Sequence, residues 1–225
     1  MIQVVPAILR VSYATLAERA ALVAGLVPLV QVDVVDGIYA PEPTWPYAGD
    51  TEGMFEKLQS GEERLPLHDR LKYEADLLIQ NPELSLDSWI HAGFKQIVIH
   101  FESTKHLDDI IVRLRGAPCT IGLAFKPETS LEVITPWISK VDFVQCMGND
   151  RVGQTGVPLD PKVLHRVSRL RAQFPELLIG VDIGVNFETA PKLIAAGVTR
   201  LVAGSAIFES GNPELAIRRL GGEAV

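Results

Sequence analysis

The chain has 225 residues, enough to bury a sizeable core in one large domain or two small ones. Hydrophobic residues at 47% exclude wholesale disorder, and 28 acidic against 21 basic side chains, a net charge of −7, argue against nucleic acid or an anionic membrane as partner. Cys119 and Cys146 cannot make a disulfide framework or a four-ligand zinc site, no apolar run reaches the ~18 residues of a membrane span, and the first residues lack a signal-peptide pattern, so the cytoplasm is the default expectation. In chain order, short β-branched apolar runs predict strands at Ile2–Ile8, Leu29–Val35, Tyr73–Ile79, Gln96–His100, Thr120–Phe125, Asp142–Met147, Leu178–Ile183 and Arg200–Ala203. Helical patterns fall between them at Tyr13–Gly25, Asn81–Ala92, Thr104–Arg115, Ser130–Ser139, Asp160–Phe174, Asn186–Ala196 and Pro213–Leu220. Eight strand-plus-helix units of about 28 residues predict a closed (β/α)8 TIM barrel spanning 1–225 as one domain. The rival doubly wound sheet lacks the G-x-G-x-x-G fingerprint after its first strand. The irregular stretch from Gly37 to Arg70, with a short helix at Thr51–Gln59, is the enlarged segment after the second strand.

A barrel places its chemistry at the C-terminal ends of its strands. There the sequence offers Gln31 and Asp33 on strand 2, Glu74 and Asp76 on strand 3, His100 and Glu102 after strand 4, Lys126 after strand 5 and Asp182 on strand 7. Residues i and i+2 share a strand face, so Gln31 with Asp33, and Glu74 with Asp76, can both point into the barrel. Inward carboxylates on three strands need a partner, a metal or a chemical task; chance, a surface orientation or a buried salt bridge with Lys126 is the bland account. His100 reads as a buried, hydrogen-bonded histidine, and Trp45 as packing for the long loop. Cys119 and Cys146 fall near opposite ends of neighbouring strands, too far apart to bond.

Motifs in register along nearly the whole chain resemble those of the ribulose-phosphate 3-epimerase family. Pro6-Ala7-Ile8-Leu9 resembles A-P-S-I-L, and Val32-Asp33-Val34-Val35-Asp36-Gly37 resembles x-D-x-M-D-G. Glu74-Ala75-Asp76-Leu77 follows D-x-H-L, His100-Phe101-Glu102 follows H-x-E, and Gly122-Leu123-Ala124-Phe125-Lys126-Pro127 follows G-L-A-L-N-P. Val181-Asp182-Ile183-Gly184 and Val202-Ala203-Gly204-Ser205 complete the series. The resemblance implies a ribulose-phosphate-binding barrel and epimerisation at carbon 3 of a pentulose 5-phosphate. Asp33 and Asp182 would be the acid/base on each face of the substrate, with an enediolate between them. It also implies a phosphate held by Gly184, Gly204 and Ser205 together with Gly153 and Gln154 of the strand 6 loop, and a homo-oligomer.

The departures are informative. Where the family carries metal ligands His, Asp, His, Asp, this chain has Gln31, Asp33, Asp76 and Asp182. Losing both imidazoles leaves an all-oxygen set, which suits magnesium or manganese better than zinc or iron, or else no metal at all. Lys126 replaces the family's Asn and is either an electrophile or a structural cation for the carboxylates. Arg151, in a strand 6 loop two residues shorter than the family's, is either a phosphate contact or a solvated arginine. Ile183 stands where the family has glycine. Besides the epimerase reading, the sequence leaves open another sugar-phosphate isomerase or aldolase on the same barrel, or a non-catalytic sugar-phosphate-binding protein.

Overall fold

The computed structural model describes residues 2–9, 12–50 and 52–223. Eight parallel strands close into a barrel in sequence order: β1 (Gln3–Ile8), β2 (Leu29–Val35), β3 (Lys72–Leu78), β4 (Gln96–His100), β5 (Thr120–Phe125), β6 (Phe143–Met147), β7 (Ile179–Asp182) and β8 (Arg200–Ala203). Around them run α1 (Tyr13–Val23), α2 (Met54–Ser60), α3 (Leu86–His91), α4 (Leu107–Arg115), α5 (Leu131–Ile138), α6 (Lys162–Gln173), α7 (Ala190–Ala196), α8 (Ser205–Phe208) and α9 (Pro213–Leu220). The TIM-barrel expectation is met. No helix among the described residues is long and apolar enough to cross a membrane.

Strand alternation divides the core in two. One set of side chains, including Val30, Val32, Leu77, Ile99 and Leu123, packs outward against the helices. The other fills the interior with Val35, Leu78, Val98, Ala124, Phe143 and Met147. Interior packing thus explains why the polar residues sharing this inner face, among them Gln31, Asp33, Glu74 and Asp76, are all buried.

Most expected helices keep their place with bounds shifted by a few residues, α8 is additional, and two departures have a clear local cause. Asn81–Ala92 divides into a 3-10 turn at Pro82–Leu84 and α3, because Asn81 takes a left-handed conformation and Ser85 breaks the turn. The expected Thr51–Gln59 helix starts at Met54, where the Asp50 carboxylate accepts the Met54 and Phe55 N–H groups at 2.8 and 3.0 Å; Thr51 lies outside the described residues. Trp45 is buried and packs edge-on against Phe55, in a cluster that also holds Tyr13 and Trp89, so the long segment carries its own small core.

Candidate active site

Asp33 and Asp182, at the mouth ends of β2 and β7, line one cavity of about 360 Å³. The local sequence holds each in place. Gln31 donates its side-chain N–H to Asp33 Oδ1 at 2.8 Å. The Thr44 hydroxyl donates to the Asp33 carbonyl at 2.9 Å and accepts the Val35 N–H at 2.9 Å, pinning the returning loop to the strand. Asp36 faces the loop instead: it accepts the Ile38 and Tyr39 N–H groups and, at 2.7 Å, that of Gln80. It is therefore a turn-former, and Asp33 is the aspartate of that motif available to a substrate.

On β7, the Asp182 carboxylate accepts the Ile183 N–H at 2.8 Å, and the Asp182 carbonyl accepts the Gly148 N–H at 2.5 Å. A Cβ on Gly148 would stand 1.9 Å from the Ile183 carbonyl oxygen, so only glycine allows β6 to end against this peptide. Ile183 keeps the left-handed backbone (φ 75°) that a glycine would adopt freely. For a β-branched residue this costs about 1–3 kcal/mol, and it turns the chain directly into Gly184.

Beneath the mouth lies a continuous polar network. His100 Nε2 and Asp76 Oδ1 are 3.0 Å apart, both side chains fully buried. Gln145 donates to Asp76 Oδ2 at 3.3 Å, and Arg200 donates to Gln145 Oε1 at 3.1 Å and to Glu74 Oε1 at 2.5 Å. Glu74 and Asp76 do point inward, but the salt bridge expected with Lys126 forms with Arg200 instead. The reason is position: Arg200 opens β8 and enters the barrel from below, stacked 4.6 Å from the Phe143 ring centroid. Lys126 follows the last residue of β5, and its ammonium lies at the rim, 4.8 Å from the Tyr39 ring centroid. Tyr39 is in turn 5.3 Å from the His100 ring and donates its hydroxyl to Glu102 at 3.2 Å, while Glu102 also accepts the Lys126 N–H.

Electrostatics follow from this crowding. Burial, then repulsion from Asp182 and Asp76, raises the Asp33 carboxyl well above the ordinary range, against the opposing Gln31 hydrogen bond. Burial and the Asp76 charge push Asp182 up to about 7, with the Ile183 N–H, His100 and Arg200 acting in the other direction. Two carboxyls of raised proton affinity, facing one cavity from two strands, can donate and accept protons there.

The expected metal set does not fit a cation as arranged. Gln31 turns its N–H, not its oxygen, toward Asp33, and both Asp76 oxygens are engaged by His100 and Gln145. Among the described residues no group of three or more His, Cys, Asp or Glu side chains is placed to hold a metal. The buried Gln31 Oε1 has no hydrogen-bond partner, one unsatisfied acceptor rather than a coordination shell.

Of the residues expected at a phosphate, Gly153, Gln154, Gly184, Gly204 and Ser205 all line the Asp33–Asp182 cavity. Asn186 completes this wall; its side chain accepts the Glu188 and Thr189 N–H groups, and Thr189 closes back on the Gly184 carbonyl. Arg151 is exposed and lies outside the lining; its N–H is bonded to the Asn149 side chain. Sequence reasoning missed Tyr39, Gln145 and Arg200. Period-two parity on β6 and β8 puts Gln145 and Arg200 on the inner face, a signal available to anyone extending the alternation to those strands.

A closed parallel barrel whose mouth carries two carboxyls and a glycine-lined turn has the architecture of the (β/α)8 class. The sequence pattern of the Ribulose-phosphate 3 epimerase family matches residues 3–208, and the chain belongs to that family, whose enzymes are isomerases. It is 30% identical to the ribulose-phosphate 3-epimerase of Bacillus subtilis over 99% of both chains. Against the Schizosaccharomyces pombe enzyme it is 33% identical over 66% of this chain and 64% of that one. Among solved structures, 3-hexulose-6-phosphate synthase from Salmonella typhimurium aligns over 98% of this chain and 97% of its own, with a TM-score of 0.72 and 13% identity, which shows a shared fold.

Proposed function

We propose that this chain epimerises carbon 3 of a pentulose 5-phosphate, with Asp33 and Asp182 as the two acid/base groups. The observation that carries the proposal is their placement on β2 and β7 around one cavity whose remaining wall is glycine-rich. The ionised carboxylate takes the proton from carbon 3. The C–H electrons form the carbon–carbon double bond of the enediolate, and the ketone oxygen takes the negative charge. The opposite carboxyl, still protonated, then returns a proton to carbon 3 from the other face. Each turnover leaves the pair with exchanged protonation states, so solvent must reset it. The Arg200 guanidinium, whose charge acts on Asp182, supplies positive potential from the layer below. Gly184, Gly204 and Ser205 would hold the phosphate through backbone N–H groups, with Gly153 and Gln154 closing over it.

Incubation with ribulose 5-phosphate in heavy water tests this. The expected result is xylulose 5-phosphate carrying one deuterium at carbon 3, lost in Asp33→Asn and Asp182→Asn. No exchange at carbon 3 by the wild type would overturn it. A second reading, another ketose phosphate on the same scaffold, is favoured by the Lys126 ammonium over Tyr39 at the rim. Faster exchange with a hexulose phosphate than with ribulose 5-phosphate would select it.

A further inference from the structure

A cavity of about 610 Å³ lies at the other end of the barrel, around the N-terminal ends of β3, β4 and β5. Its lining carries five basic side chains, Arg64, His68, Lys72, His91 and Lys95, against one carboxylate, Glu63. That is an inversion for a protein of net charge −7. Elsewhere the exposed cations Arg113, Lys140, Lys162, Arg169 and Arg218 are in ion pairs, whereas Lys105, Arg115, Lys192 and Arg219 are in none among the described residues but are scattered singly rather than gathered around one cavity. None of the five around this cavity is in an ion pair among the described residues; their closest polar contact is Arg64 to His68, at 3.4 Å, cation beside imidazole.

Complementing helix C-termini does not account for them. Only His91 sits in a last helical turn, while Arg64 and His68 are on a loop and Lys72 and Lys95 stand at strand starts. The loop itself is unusual: residues 61–71 join α2 to β3, whereas such connections commonly take about 2–6 residues. It folds over the barrel base by burying Leu65 and Leu71 beside Leu58 and by offering the Pro66 carbonyl to the Tyr73 hydroxyl at 2.5 Å. The result is an apolar floor of Leu58, Leu65, Leu71 and Tyr73 under a cationic rim, at a volume typical of small-molecule sites.

We propose that this cavity is a second ligand site, which takes a phosphorylated small molecule with an apolar or aromatic body. The rim cations hold the phosphate, and the floor takes the body. The site is independent of the reaction at the mouth, and on β3 it begins with Lys72, four residues before Asp76.

Phenyl phosphate titrated into the full-length ¹⁵N-labelled chain tests this, with inorganic phosphate in parallel. Expected are shifts in the amide signals of Gly61, Gly93, Lys95 and Thr120, distinct from any at Gly184 and Gly204, with phenyl phosphate binding more tightly than inorganic phosphate. The double variant R64Q/K95Q changes exposed side chains only, and an otherwise unchanged spectrum verifies its fold. It should weaken the first set of shifts by about tenfold, roughly what losing two exposed charge contacts implies, and leave the mouth set intact. Shifts confined to the mouth, or base shifts that survive in R64Q/K95Q, would overturn the proposal.

Discussion

Asp182→Asn should abolish carbon 3 exchange and yet stabilise the protein at alkaline pH. The carboxyl's folded value is about 7 against an ordinary 3.8, so the folded state favours the protonated form. That preference is fully satisfied below the unfolded value, and its benefit is lost as pH rises through the folded one. A difference of about three units corresponds to about 4 kcal/mol against the ionised form, at ~1.4 kcal/mol per unit. Because Asp182 opens onto a solvent-accessible mouth, about 1–2 kcal/mol of that is realistic. Asparagine is isosteric, keeps an acceptor for the Ile183 N–H and carries no charge at any pH. For a chain of 225 residues this converts to a melting point about 3–6 °C above wild type near pH 8.5, shrinking toward zero near pH 3. Thermal melts of both proteins at the two pH values, alongside exchange in heavy water, give the comparison. A variant no more stable than wild type at alkaline pH, or equally shifted at both, would refute the reasoning that the site is held against electrostatic cost.

Further predictions follow from neighbouring contacts. Arg200→Met leaves Glu74 buried without its cation and should cost about 3–5 kcal/mol in urea unfolding, most of which Glu74→Leu in the same chain restores. Gly148→Ala, whose new methyl meets the Ile183 carbonyl, should displace the Asp182–Ile183 peptide and lower exchange at carbon 3 at least tenfold; unchanged exchange would show that the peptide does not position the carboxyl. Since the Asp76 oxygens are held by His100 and Gln145, chelator should leave the rate unchanged, and manganese titrated calorimetrically should show no stoichiometric site. One bound Mn²⁺ per chain would mean that this hydrogen-bonded arrangement gives way to the ion.

The barrel was legible because parallel strands covered on both faces leave near-continuous apolar runs, and four of the eight strands, Leu29–Val35, Gln96–His100, Thr120–Phe125 and Arg200–Ala203, have the expected bounds. Asp33 and Asp182 were legible as a pair because period-two parity and family motifs agree on them. Partnership was not. Lys126 and Arg200 both adjoin interior positions, but which cation reaches the carboxylates depends on the end from which each side chain enters, and that is set by strand stagger. Nor could the sequence show that the long segment after β2 serves both ends of the barrel. Its first part packs Trp45 and fixes Asp33 through Thr44, while its last part builds the base cavity.

This arrangement gives the acidity of the chain a local meaning. Where the family resemblance implies an imidazole, this chain has Asp76, which adds negative charge beside Asp33 and Asp182. The structure offsets it with His100 on one Asp76 oxygen and Gln145 on the other, with Arg200 reaching Gln145 from below. The compensating cation is thereby moved one layer down, out of reach of substrate, and the two mouth aspartates stay under repulsion that raises the proton affinity of both. The proposed carbon 3 chemistry depends on that displaced charge, and Arg200→Met with Glu74→Leu separates the two roles of the arginine. The double variant recovers stability, yet its Asp182 carboxyl, having lost the Arg200 field, should titrate still higher, and the rising limb of the exchange rate against pH should move upward with it. An unshifted limb would show that the Arg200 charge does not set the proton affinity of the pair.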